Sequence, residues 1–159
     1  MNILLTSAGR RTYLVEYFKK ALCGQGKVYA SNSIDTYTLH QADGYVITPA
    51  IYDKEYINFL ISYCKKNQIS AIISLFDIDL PVLAKHKDEF EKEGIKVVVS
   101  DYNVTQICND KWSTYEFLVR LGLPQTPSYL NLENLIKDIA EGVVDRKSTR
   151  LNSSHGYIS

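Results

Sequence analysis

No window of this 159-residue chain approaches 18 consecutive apolar residues, so the sequence holds no candidate membrane-spanning helix. The apolar run near the amino terminus, Ile3-Leu4-Leu5, is too short for a signal peptide, and Arg10 and Arg11 follow it rather than precede it. Neither sign of charge is in excess. Eighteen Lys plus Arg balance eighteen Asp plus Glu, which argues against a nucleic-acid partner and against a basic protein partner. Cysteine is scarce: Cys23, Cys64 and Cys108 are odd in number and far apart, so neither a disulfide framework nor a zinc site is expected. Each falls in a helical pattern, where a buried free thiol is the plainest reading, and a reducing cytoplasm fits. Gly-x-Gly-x-x-Gly and Walker A motifs are both missing. The acid that would hold a ribose diol after a second strand is missing too, since Ser31-Asn32-Ser33 stands there and Asp35 is a poor substitute. A nicotinamide-dependent oxidoreductase is therefore disfavoured.

What is present is an alternation of short apolar strands and amphipathic helices. Strands are expected over 2–7, 27–31, 44–48, 71–76 and 95–100. Helices are expected over 11–23, 54–66 and 79–93. In the first, Tyr13, Leu14, Tyr17, Phe18, Ala21 and Leu22 form the apolar stripe. In the second it is Tyr56, Ile57, Leu60, Ile61 and Cys64, with Asp53 as cap. In the third, Leu80, Leu83, Ala84 and Phe90 recur at helical spacing. This pattern predicts an α/β fold with a doubly wound parallel sheet, strands 3–5, 71–75 and 96–99 being central because they alternate least. The 12 tyrosines are dispersed along helix faces and read as packing. After residue 105 the pattern gives a short helix through Asn109 capped by Asp101, a helix over 112–121 with Tyr115, Leu118 and Val119 inward, a strand over 126–130, and a helix from Asn131 or Glu133 to Ala140. These have no partner strand in sight and read as the start of a second domain.

From about Asp145 the chain loses apolar periodicity and becomes rich in Ser and basic residues. Residues 145–159 resemble translated read-through of a sequencing adapter. They are expected to be non-native and are set aside, His155 with them.

Two clusters are candidate sites. Ser7-Ala8-Gly9-Arg10-Arg11 joins the first strand to the first helix, at the sheet edge where α/β ligands gather. Free N–H groups and two Arg there suit a carboxylate or phosphate; a tight turn with solvated arginines is the alternative. Asp77 and Asp79 follow a strand, where they either hold a polar substrate or cap the next helix. Metal binding by this pair lacks further ligands at useful spacing. His40 and His86 have no partner at metal spacing and read as surface or core-edge residues. Lys111 opens a helix, where the dipole disfavours a cation; a nearby anion such as a nucleotide phosphate would explain it.

Several segments together resemble the amino-terminal portion of ATP-grasp ligases, closest to the carbamoyl-phosphate-synthase large-subunit-like group. They are Ile3-Leu4-Leu5-Thr6-Ser7-Ala8-Gly9-Arg10-Arg11, Ala42-Asp43, Tyr52-Asp53, Ile73-Ser74-Leu75-Phe76-Asp77-Ile78-Asp79, Val99-Ser100-Asp101 and Cys108-Asn109-Asp110-Lys111-Trp112, followed by Gly122-Leu123-Pro124-Gln125-Thr126-Pro127. The resemblance implies a Rossmann-like pre-ATP-grasp domain over 1–105, the truncated start of an ATP-grasp domain over 106–144, and the tail over 145–159. It implies a parent enzyme that uses ATP and Mg²⁺ to activate a small-molecule carboxylate as an acyl phosphate for attack by an amine or ammonia. By resemblance Lys111 matches the residue that reaches the ATP phosphates, while Ser7, Gly9, Arg10, Arg11 and Asp77 would meet the acceptor substrate. The remaining ATP and metal residues of the family have no counterpart here, so the 159-residue chain is expected to lack turnover. A homodimer of the full-length parent is a further expectation. A stand-alone α/β module that binds a small metabolite or nucleotide is the alternative.

Overall fold

The computed structural model describes residues 1–142 and the backbone of residues 150–151. The expected non-native tail lies outside the described residues except for that pair. The chain forms two compact units, Met1–Thr105 and Gln106–Ser159.

The first unit is a five-stranded parallel sheet with helices between the strands. β1 (Asn2–Thr6) is followed by α1 (Thr12–Leu22), β2 (Val28–Asn32), a 3-10 turn over Leu39–Gln41, β3 (Gly44–Ile47) and α2 (Tyr56–Lys66). β4 (Ile69–Ser74), α3 (Asp79–Lys85), α4 (Lys87–Lys92) and β5 (Lys96–Val97) complete it, and α5 (Tyr102–Asn109) leads into the second unit. The strand order is β3-β2-β1-β4-β5, the doubly wound arrangement the alternation predicts. β1 is therefore central. Leu4 pairs with Tyr29 on one side and with Ile72 on the other, and Ile3, Leu4 and Leu5 are buried on both sheet faces. One face packs Leu4, Ile72 and Val97 against Leu60, Cys64, Leu83 and Phe90. The other packs Ile3, Leu5, Val28 and Ala71 against Val15.

Several expectations need correction. Strand 96–99 is an edge strand of the described sheet, two residues long. Val97 faces the core, while Lys96 and Val98 are exposed, so it alternates where a central strand would not. The stripe on α1 is rotated: Val15, Phe18 and Leu22 face the core, while Tyr13, Tyr17 and Ala21 are exposed. The helix over 79–93 is two helices. His86 leaves helical geometry (φ −106°, ψ 13°), and its ring pairs with Glu89 at 2.8 Å. Asp53 does not cap α2 directly; its carboxylate accepts from the Glu55 N–H at 2.9 Å, one turn residue earlier. Only Cys64 is a buried thiol, its pKa pushed up to about 12 by burial, whereas Cys23 and Cys108 are exposed. Six tyrosines (13, 17, 37, 45, 52 and 102) are exposed rather than packed.

The second unit contains α6 (Lys111–Arg120), β6 (Ser128–Tyr129), α7 (Leu132–Ala140) and β7 (Arg150–Leu151). β6 does have a partner: Ser128 and Tyr129 pair in parallel with Arg150 and Leu151. Asn131 caps α7 by accepting from the Asn134 N–H at 2.9 Å. None of residues 106–142 is buried, Val119 included.

At the sheet edge Gly44 sits beside Tyr29, and a Cβ on Gly44 would come within 2.7 Å of the Tyr29 ring. That ring is itself held edge-on against Tyr63. Gly44→Ala is expected to cost about 1–3 kcal/mol by overpacking. Urea unfolding measures it, and a variant as stable as the parent would contradict this packing.

Candidate functional site

The carboxyl ends of β1 to β4 converge on a cleft of about 240 Å³, lined by Ser7, Gly9, Arg11, Asn32, Ser33, Thr48, Ile51 and Phe76. Its rim is the loop after β1. Ser7 (φ 52°) and Gly9 (φ 54°) both take left-handed backbone geometry, which is uncommon for Ser and natural for Gly. Ala8 between them is fully buried with Ala30 and Leu39, and its N–H donates to the Ser31 carbonyl at 3.0 Å. The Arg11 N–H returns to the Ala8 carbonyl at 3.0 Å, and Thr12 and Thr38 hydroxyls meet at 3.0 Å. The turn is thus pinned at Ala8, and Gly9 and Arg11 are carried onto the cleft. The Arg11 guanidinium lies back over Gly9 and has no ion pair among the described residues.

Below this loop stands Asp79, which is fully buried. Its Oδ2 accepts from Thr6 Oγ1 at 2.6 Å, Ser74 Oγ at 2.8 Å and Ser7 Oγ at 3.2 Å; its Oδ1 accepts from the Tyr56 hydroxyl at 2.9 Å. Four hydroxyls from the ends of β1 and β4, the cleft loop and the first turn of α2 therefore converge on one carboxyl group. Neither Asp77 nor Asp79 caps α3 with its side chain, so the capping alternative is overturned. Burial, and then the charge of Asp79, push the Tyr56 phenol well above its ordinary range.

Of the residues singled out from the sequence, the structure brings Ser7, Gly9 and Arg11 together on the cleft. Arg10 and Asp77 are exposed and do not line it. Asn32, Ser33, Thr48, Ile51 and Phe76 were not singled out. Their signal is positional: Asn32 ends β2, Ser33 and Thr48 directly follow β2 and β3, and Ile51 and Phe76 lie in the loops after β3 and β4. Lys111, in the second unit, is the exposed first residue of α6. The anion at that helix start is Asp110, whose carboxylate accepts from the Ser113 N–H at 2.7 Å and is held below the usual carboxylate range by that bond. Asp110 thus supplies the negative charge that a helix N-terminus favours. Among the described residues no group of three or more His, Cys, Asp or Glu stands together as a metal site.

The profile of the PylC-like N-terminal domain matches residues 3–98, which include every residue of the cleft wall. The chain belongs to the PylC-like N-terminal domain family. This is the pre-ATP-grasp domain that the sequence resemblance implies. Comparison with curated proteins gives no match. Among solved structures, the fold is similar to the biotin carboxylase domain of a single-chain bacterial carboxylase (TM-score 0.61, 16% identity), over 89% of this chain and 35% of that one. It is also similar to the biotin carboxylase subunit of pyruvate carboxylase (TM-score 0.59, 17% identity), over 91% of this chain and 33% of that one. A third is the biotin carboxylase domain dimer of Hydrogenobacter thermophilus 2-oxoglutarate carboxylase, in complex with MgADP, ADP and bicarbonate (TM-score 0.57, 20% identity; 91% and 33% covered). The PylC-like chain spans about a third of the length of these domains, and at such identities the likeness is one of fold.

Asp79→Ala leaves four hydroxyls without their shared acceptor and is expected to cost about 3 kcal/mol, with Tyr56→Phe costing about 1 kcal/mol. Because the Tyr56 pKa is raised on folding, its contribution is fully present below about pH 10 and declines progressively as pH rises from there toward the folded-state pKa. Urea unfolding at neutral and alkaline pH checks both. An Asp79→Ala chain within about 0.5 kcal/mol of the parent would contradict the network.

Proposed function

We propose that this chain is the amino-terminal part of an ATP-dependent ligase that activates a carboxylate as an acyl phosphate for attack by an amine or ammonia. The reading rests on one conjunction: a PylC-like domain with a cleft at its strand ends, followed by a unit in which no described residue before 143 is buried. Val119, Leu121, Leu123, Leu130, Leu132 and Ile136 in that unit are exposed, as expected of segments that the rest of an ATP-grasp domain would cover. The family affiliation and the carboxylase-like fold, one example of which is described with MgADP and bicarbonate, support the same class.

In this reading ATP supplies the phosphoryl group that makes the carboxyl carbon electrophilic, with Mg²⁺ spreading the charge. Lys111 contributes a positive charge toward the phosphates, Asp110 fixes the helix start that carries it, and the Ser7–Arg11 loop binds and orients the acceptor carboxylate. Arg10 and Asp77 are solvent-exposed and are assigned the outer rim of substrate binding. The carbamoyl-phosphate-synthase-like affiliation, a cytoplasmic setting for the three free cysteines and dimerisation of the full-length parent belong to the same reading. The alternative, a stand-alone metabolite-binding module, draws on the first unit's having its own core and cleft. The open apolar faces of α6 and α7 weigh against it.

Calorimetric titration tests the assignment. The 159-residue chain is expected to bind ATP more weakly than micromolar and to show no turnover. The product of the intact open reading frame is expected to hydrolyse ATP only when carboxylate and amine are both supplied. Micromolar ATP affinity in the short chain, or an intact product indifferent to nucleotides, would overturn it.

A further inference from the structure

We infer that the free edge of β3 is an interface between two copies of this chain. The strand pairs antiparallel with its own copy about a two-fold axis at Val46, joining the two sheets into one. The inference concerns the first unit alone and does not rest on the ligase reading; it names a surface for the dimerisation which that reading includes. Three observations carry it. The first is lack of protection. β3 ends the sheet order, so among the described residues its outer side has no strand partner. Sheet edges are ordinarily blunted by brevity, a charge, a proline or a bulge. The opposite edge is blunted in this way, since β5 is two residues long and carries exposed Lys96. β3 is not. Gly44-Tyr45-Val46-Ile47-Thr48 holds no charge and no proline, and it follows β2 in unbroken register from Gly44 to Ile47.

The second is what the edge presents. Tyr45 and Ile47, two residues apart, fall on one sheet face and are 43% and 49% exposed. The His40 ring lies against the Tyr45 ring with centroids 4.7 Å apart, and Asp35 holds His40 at 2.8 Å. A ring restrained before contact loses less freedom on association.

The third is self-complementarity. Directly opposed residues of an antiparallel pair share a sheet face, and a two-fold axis makes each contact twice. With the axis at Val46, Tyr45 meets the partner's Ile47, Val46 meets the partner's Val46 and Asp43 meets the partner's Pro49. Aromatic and β-branched side chains thus oppose each other, and like charges do not. A second copy is the occupant because the strand is its own complement. Even with Ile34 and Tyr37 of the preceding connection added (66% and 73% exposed), the two copies bury roughly 800–1,000 Å², against ~1,200–2,000 Å² for a stable interface. The dimer is therefore weak, with a Kd on the order of 100 μM.

Sedimentation velocity of the 159-residue chain from about 10 μM to about 1 mM tests it. The mass is expected to rise with concentration from 18.1 kDa toward twice that value. The double variant Tyr45→Lys with Ile47→Lys is expected to associate about tenfold more weakly or worse, and so is Tyr45→Glu with Ile47→Glu. An equimolar mixture of the two associates again, because opposite charges then face each other. Leu132→Lys with Ile136→Lys, which alters the exposed face of α7 in the second unit, leaves association unchanged. In a mixture of ¹³C-labelled and unlabelled parent chains, a nuclear Overhauser contact is expected between the Tyr45 ring and the partner's Ile47 methyl groups. Unaltered Leu4 and Ile72 amides show that each variant is folded. A parent chain that stays monomeric at the highest concentration overturns the inference. So does a lysine variant that associates as the parent does, a mixture of the two charged variants that stays monomeric, or association abolished by the α7 changes. An intact-gene product that performs the ligation yet stays monomeric, or dimerises through another face, would remove this inference and leave the ligase reading standing.

Discussion

The arrangement depends on satisfying one buried carboxyl group. Asp79 is shut away from water and has no cation beside it among the described residues, a placement that costs several kcal/mol unless its oxygens are hydrogen-bonded. The four hydroxyls that satisfy it come from Thr6 and Ser74 at the ends of adjacent central strands, Ser7 in the cleft loop and Tyr56 at the start of α2. Meeting the requirement of one side chain therefore fixes three things together: the register at the ends of β1 and β4, the docking of α2 on the sheet, and the left-handed turn at Ser7. A strained loop residue persists only where its surroundings over-determine it, and here the buried Ala8 on one side and Asp79 on the other do so.

This constraint links fold to site. The parallel sheet brings four strand ends to one edge, as any doubly wound sheet does. The Asp79 cluster makes that edge specific. It draws polar side chains inward beneath the loop and leaves Arg11 as the charge that faces the cleft. Asp43 plays a comparable structural role at the far strand. Its carboxylate accepts from the Val28 N–H at 2.8 Å and pairs with Lys19 at 2.7 Å, tying β2, β3 and α1 together. There burial raises the pKa, and the bonds from Lys19 and Val28 outweigh it, so the net shift is downward.

Much of this was legible in the sequence, for physical reasons. Ile3-Leu4-Leu5 and Ala71-Ile72-Ile73 have no polar interruption, and they form the two strands at the heart of the sheet. The α2 face of Tyr56, Ile57, Leu60 and Cys64 was correct because helical period and burial agree there. The short strand ending in Val97 was misplaced because the apolar run Val97-Val98-Val99 does not reveal that Val98 faces water. The stripe on α1 was rotated because tyrosine is apolar enough to count yet is exposed at 13 and 17. That Ser7, Gly9 and Arg11 share one cleft was legible, since a loop after the first strand of a parallel sheet lies at the edge where strand ends gather. The Asp79 cluster was not. Its members lie up to 73 residues apart, and each hydroxyl alone is an ordinary strand-end residue. The pre-ATP-grasp affiliation came from several short segments in order, and the family match over residues 3–98 agrees with it.

The central claim is that four hydroxyl protons are committed to Asp79 in the folded chain. It is tested most directly by proton NMR of the 159-residue chain in cold water, recording exchange of the Thr6, Ser74 and Tyr56 hydroxyl protons with solvent. The account predicts separate, slowly exchanging hydroxyl resonances, each with a nuclear Overhauser contact to the Asp79 methylene. Hydroxyl protons that all merge with the water signal under conditions where the amides of Leu4 and Ile72 remain protected would contradict it.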